Sequence, residues 1–158
     1  MRRCLKLLRR DDDLHHEPTS REEITELLRL VERDLAQAKI TGLYPDGRFA
    51  FAYNAALQLA TAFLRVHHVR VGATSHHFRT FQELQHLLPS DQRQFALTFE
   101  HARRKRNVLM YDQAGAVSDY EVQAFIVEVK GFHEWFLHEL RTRFRGYMPE
   151  QEKGRDSR

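Results

Sequence analysis

The stretch GRFAFAYNAALQLATAFLRVHHV, residues 47–69, constrains the chain more than any other, because it is apolar nearly all round over a helical length. A helix without a wide polar face has to be covered on several sides. The spacing therefore predicts a central helix over 47–69, with Asp46 as its cap, inside a helical bundle. Its polar residues fall on one thin line, Asn54, Gln58, Thr61, Arg65 and His68, at steps of 4, 3, 4 and 3 that keep them on one face. Such a line is either a narrow stripe facing solvent or the wall of a polar interface or cleft.

Other helices must supply the cover. The run SREE puts Ser20 at an N-cap with Glu23 three residues on, the reciprocal capping box. Ile24, Leu27, Leu28, Val31, Leu35 and Ala38 follow at helical spacing, which predicts a first helix over 21–39 ended by Gly42, Pro45 and Gly47. A short third helix, HHFRTFQELQHLL, lies between Ser75 and Pro89. Ser90 then caps a fourth over 91–112, and Ser118 opens a fifth over 119–144 with a wide apolar face from Val122 to Leu140. The four prolines sit between these segments, and no stretch alternates as a strand would over a useful length. The fold class expected is all-α, a bundle of four long helices plus one short one. A flexible basic extension is expected over 1–19, one helical domain over 20–145 and a flexible tail over 146–158.

With 158 residues, 42% of them hydrophobic and 30% charged, the chain suffices for one domain with a core. Its single cysteine, Cys4, excludes an internal disulfide framework and a cysteine zinc cluster, and suits the cytoplasm. The opening MRRCLKLLRR has too short an apolar run for a secretory signal, and no segment reaches the roughly 20 apolar residues of a membrane span. A net charge of +3 is too small to argue for nucleic-acid binding by itself. Clustering matters more, and it singles out the fourth helix.

On that helix the apolar line runs Phe95, Phe99, Ala102, position 106, Leu109, at steps of 4, 3, 4 and 3. Position 106 is an arginine, preceded by Arg103, Arg104 and Lys105. Arg104 and Lys105 point elsewhere and read as solvated surface. An unpaired charge on a buried stripe costs several kcal/mol. Arg106 has three ways out: it snorkels past the core, pairs with a carboxylate inside the bundle, or reaches a protomer interface or polar cleft. Asn107 adds an amide beside it, and the surrounding cations favour a ligand that carries phosphate.

The stretch R-K-R-N-V-L-M-Y-D resembles the signature helix of HEPN domains, in which an arginine, often followed by a polar residue, precedes a histidine by four to six positions. AYNAALQLA on the second helix and SHHFRTFQEL on the third resemble one bacterial HEPN subgroup whose motif ends in tyrosine-aspartate, and the likeness spans residues 20–145. The resemblance implies a helical bundle that forms a homodimer, with the motif arginines of both chains in a shared cleft. It implies RNA or nucleotide as the ligand and no cofactor or metal. Catalytic members are metal-independent endoribonucleases, many of them toxins of toxin–antitoxin or phage-defence systems, some with an antitoxin of nucleotidyltransferase type. Carried onto this chain, it gives Arg106, Asn107 and Tyr111 the catalytic positions, with Arg103, Arg104, Lys105, His101 and Asn54 as RNA-binding residues. A non-catalytic HEPN dimer acting as a binding or assembly module is the alternative.

The sequence departs from the catalytic pattern where a histidine should stand. Tyr111, Asp112 and Gln113 fill the three positions. A phenol with a pKa near 10 is a poor general base, and residue 111 lies about 140° from residue 106 on an ideal helix. Among the other histidines, His101 is an auxiliary candidate one turn from the cations. His76 and His77 follow Arg70 by six and seven positions, but Gly72 and a helix cap intervene, so that spacing reads as coincidence. No histidine–carboxylate pairs recur on facing helices as a di-metal bundle requires.

Overall fold

The structure is a computed structural model that describes residues 14–111 and 115–150, with only the helical backbone of Met110 and Tyr111. Among these residues run β1 (Leu14–His16), α1 (Arg21–Ala38), α2 (Pro45–Val66), β2 (Val69–Val71), α3 (His76–Leu87), α4 (Arg93–Tyr111) and α5 (Asp119–Thr142). Short 3-10 turns occupy Ser90–Gln92 and Arg145–Tyr147. The described residues are all-α but for two three-residue strands, which pair antiparallel with His15 opposite Arg70. This pair leaves no mark in the sequence, because three residues are too few to display a period of two.

α2 is the central helix and packs on each of the other four. Its alanines at 52, 55, 56, 60 and 62 are wholly buried, which lets neighbours approach closely, and Tyr53, Phe63 and Leu64 reach out between them. A run of rings ties α2, α4 and α5 together: Phe49 meets Phe125 at 5.1 Å, Phe99 meets Phe132 at 5.4 Å, and Phe63 meets Trp135 at 5.7 Å between centroids. Edge and tilted contacts of this kind each add about 0.5–1.5 kcal/mol beyond the area they bury.

The helix starts differ from the sequence reading in instructive ways. α5 has the full capping box, with the Ser118 hydroxyl accepting from the Glu121 amide and the Glu121 carboxylate accepting from the Ser118 amide. At α1 only half of the expected box forms. The Ser20 hydroxyl accepts from the Glu23 amide at 3.1 Å, but the Glu23 carboxylate turns away to the guanidinium of Arg65 at 3.0 Å. α2 starts at Pro45, which needs no amide partner in the first turn. Asp46 does not cap that helix; its Oδ2 accepts from the Gly115 amide at 2.7 Å, joining the first turn of α2 to the α4–α5 loop. Ser90 starts a 3-10 turn, so α4 begins at Arg93.

Arg65 explains why the polar line of α2 is not a solvent stripe. It is 2% exposed, and besides Glu23 it donates to the carbonyls of Glu17 at 3.2 Å and Pro18 at 2.8 Å. Arg70 adds an ion pair with Glu17 at 2.8 Å and a hydrogen-bonded one with Glu23 at 3.0 Å. The lower end of the line is thus an internal polar interface that fastens Leu14–Thr19 onto the bundle, where the sequence had suggested a loose leader. The chain makes this turn with His68 in the left-handed region at φ 62. At the other end Arg21 donates to the Gly146 carbonyl at 3.1 Å and pairs with Glu150 at 2.7 Å, so residues 146–150 also lie on the bundle. The extension over 1–13 and the tail over 151–158 lie outside the described residues. No described helix is long and apolar enough to cross a membrane.

Candidate phosphate-binding site

Arg106 does continue the buried stripe: Phe99 and Ala102 above it are buried, and Leu109 below it packs on the core. What receives the charge is an aromatic face. The guanidinium lies over the ring of Tyr53, its carbon 5.1 Å from the centroid, an arrangement that attracts a cation to the negative face of the ring. Arg106 is half-buried there, and no carboxylate among the described residues pairs with it. It therefore rests on an aromatic face rather than on an internal carboxylate.

Tyr53 is fully buried because it belongs to the central helix, and a buried hydroxyl requires a partner. It has one in His77, on the first turn of α3, with Oη 2.9 Å from Nδ1. The rings are 5.7 Å apart between centroids. Burial pushes the Tyr53 phenol up to about 12, against the opposing pull of Arg106 and Arg103, so it remains a protonated hydroxyl. Burial also lowers His77, helped by Arg106, His76 and Arg103, which keeps the imidazole neutral at neutral pH. The site holds a phenol with a cation over its ring and a neutral imidazole bonded to its hydroxyl. Such a group can bind an anion and pass a proton.

The remaining cations of the basic run are spoken for. Arg103 holds Glu100 with two bonds, 2.8 and 2.9 Å, and lies over the half-exposed ring of Phe78 at 5.3 Å. Its hydrogen bond, outweighing burial, holds the Glu100 carboxyl below the usual carboxylate range, so Glu100 stays charged. Arg104 is 72% exposed and reaches the same carboxylate at 3.3 Å. Lys105 turns to α5 and pairs with Glu121.

Of the residues expected from the sequence, Arg103 and Arg106 come together at the site. His101 and Asn107 are exposed on α4. His101 sits two residues, about 200° of helix, from Arg103 and faces away from it. Asn54 is half-buried on α2 beside Tyr53 but turned from it by about 100°. The helix continues through Tyr111, so the angular separation from Arg106 persists; the Tyr111 side chain, Asp112 and Gln113 lie outside the described residues. Tyr53 and His77 complete the site, and spacing along the chain does not single them out. By spacing His77 relates to Arg70, seven positions back on β2, but Arg70 is committed to Glu17 and Glu23. An arginine on a buried stripe calls for an aromatic or acidic partner, and of the four rings on the central helix Tyr53 supplies it. No group of three histidine, cysteine or carboxylate side chains among the described residues could hold a metal ion.

No family model, no curated protein and no solved structure matches the chain.

Proposed function

We propose that the surface around Arg106 binds the sugar–phosphate backbone of RNA, in a homodimeric bundle of HEPN type. The observation that carries this reading is the placement of Arg106: half-buried, on the face of Tyr53, beside the His77 imidazole and with no carboxylate partner among the described residues. A cation whose charge is compensated only by a ring is free to accept a phosphate. Phe78 supports a single-stranded nucleic acid in particular, since its ring is 42% exposed next to His77 and unstacked bases rest on such rings.

Anisotropy of a fluorescent single-stranded RNA, titrated with protein in EDTA at several salt concentrations, tests the reading. Arg106→Ala weakens binding at least about 10-fold and flattens the salt dependence, as expected when one phosphate contact is removed. Arg104→Ala, on the exposed side, changes it far less. RNA that fails to bind at low salt defeats the proposal.

A second reading, the non-catalytic binding or assembly module, draws on Tyr111 at the position of the family histidine. In that case Arg106→Ala alters sedimentation of the dimer and leaves RNA affinity untouched. The toxin role and an antitoxin partner rest on the resemblance, and growth of a bacterial host expressing the chain tests them.

A further inference from the structure

The geometry points to the groove between α1 and α5 as a binding site for a small zwitterion, an α-amino acid with an aliphatic side chain, held by opposite charges at the two ends of the groove. The site lies on other elements than the Arg106 surface and does not depend on the RNA-binding reading.

The two helices run antiparallel. Arg48, near the start of α2, donates to the Ala38 carbonyl at the end of α1 and pairs with Asp119 at the start of α5. Arg21, which opens α1, donates to the Gly146 carbonyl just beyond α5. Both helices pack on α2, and a groove of about 200 Å³ lies between them. That volume is below the roughly 300 Å³ at which sites for drug-sized ligands begin. It sets the ligand's size at that of a single amino acid rather than a nucleotide.

Antiparallel packing sorts the charges along the groove. Lys39, at the C-cap of α1, and Lys130 of α5 line the end nearer the start of α5. Glu32, seven residues back along α1, and Glu134, one turn further along α5, line the other end. Helical rise separates the two poles by about 6 Å along α5 and about 10 Å along α1, a span that the long lysine and glutamate side chains close from either side. None of the four has an ion pair or a side-chain hydrogen bond among the described residues. A free amino acid offers each pole a partner, its carboxylate to the lysines and its ammonium to the glutamates. Between the poles, Leu35 and the exposed Ala36 give the α1 wall an apolar surface for an aliphatic side chain.

His133 distinguishes this groove from an ordinary charged surface. It lines the groove next to Glu134, and its Nε2 is buried with no hydrogen-bond partner among the described residues. Buried polar atoms nearly always have a partner, and one that finds none in its own chain is a place for a polar group of a ligand. Burial lowers the His133 pKa against the opposing pull of Glu32 and Glu134, so the imidazole is neutral at neutral pH. A neutral ring adds no third cation. According to its tautomer, Nε2 accepts from the ammonium or donates to the carboxylate.

The test follows the carbon-13 histidine resonances of the full chain, with His133 assigned from its loss in His133→Gln. The titrants are L-leucine, N-acetyl-L-leucine, which lacks the ammonium, and L-leucinamide, which lacks the carboxylate. L-leucine shifts the His133 signal saturably and leaves His77 in place. Each analogue binds at least about 5-fold more weakly, as expected for loss of one charge-assisted contact partly open to water. Lys130→Met and Glu134→Gln, at exposed positions of α5 where substitution barely disturbs a fold, weaken L-leucine by a similar factor. The losses are paired: leucinamide is indifferent to Lys130→Met, and N-acetyl-leucine to Glu134→Gln. A His133 signal that does not move with L-leucine at tens of millimolar overturns the site. Analogues that bind as tightly as L-leucine, or variants that bind it as wild type does, overturn the zwitterion assignment. Failure of RNA to bind at Arg106 leaves each of these outcomes as it stands.

Discussion

The buried Arg65 cluster offers a sharp test of how the fold is held. Glu23→Gln keeps the shape of the side chain and removes its charge, leaving the guanidinium in the interior with the Glu17 and Pro18 carbonyls and the Glu17 carboxylate 3.6 Å away. Breaking a fully buried pair costs about 3–5 kcal/mol. Glu23 is 31% exposed and the two carbonyls remain, so the expected loss is smaller, about 2–3 kcal/mol. For a chain of this size that lowers Tm by about 5–10 °C. Chemical denaturation of wild type, Glu23→Gln, Arg65→Met and the double variant measures it, and the double variant should lose less than the two single losses added together. The pH dependence has a defined sign. Burial pushes the Glu23 carboxyl up, but the bonds from Arg65 and Thr19 and the charges of Arg65 and Arg70 together hold it below its ordinary value. The stabilisation is therefore present above the ordinary carboxylate range and disappears as pH falls through the depressed value. A Glu23→Gln midpoint within error of wild type at pH 7 would refute the reasoning.

Other outcomes follow from particular contacts. His67, between Phe63 and Phe144, is pushed down to about 4 by burial, then by Arg143 and His68; the unfolded chain protonates first as pH falls from 6.5 toward that value. Stability drops over this window by at most about 3 kcal/mol, and denaturation of His67→Phe should show a flatter acid limb. Gly131→Ala on α5 should gain about 0.5–1 kcal/mol by thermal melting, because the new methyl meets the Phe95 ring at an ordinary 3.6 Å and a helix-interior glycine is replaced. Ser118→Ala removes both side-chain bonds of the α5 cap and should cost about 1 kcal/mol in chemical denaturation. Arg106→Leu should keep the far-ultraviolet circular dichroism of wild type, since leucine suits a position between Ala102 and Leu109 on the packed stripe.

Much of the fold was legible because it rests on periodicity. The apolar wheel of α2 announced a central helix, and Ser20 and Ser118 mark starts through local chemistry visible in a few residues, whereas Pro45 reads as a stop for α1 and instead opens α2. What escaped the sequence depends on contacts between distant segments. Glu23 looked like a capping residue because its amide partner is three positions away, while its stronger attraction, Arg65, is 42 positions on. The strand pair and the docking of Leu14–Thr19 belong to the same network. At the site, spacing identified Arg106 as a charge on a packed face, but it could not say which of three solutions applied. That answer required the register of α2 against α4, which brings Tyr53 under the guanidinium, and of α3 against α2, which brings in His77. Residues chosen by proximity along the chain, His101, Asn107 and Arg104, fell on other faces of the same helix.

The claim that RNA meets the protein at Arg106, Tyr53 and His77 is tested most directly by the imidazole resonances of protein carrying carbon-13 histidine, with His77 assigned from His77→Gln. On titration with single-stranded RNA in EDTA, the His77 signal should shift, while that of His133, in the groove between α1 and α5, stays in place. The shift should vanish in Arg106→Ala. RNA that binds while moving His133, or while leaving His77 unmoved, would contradict the account.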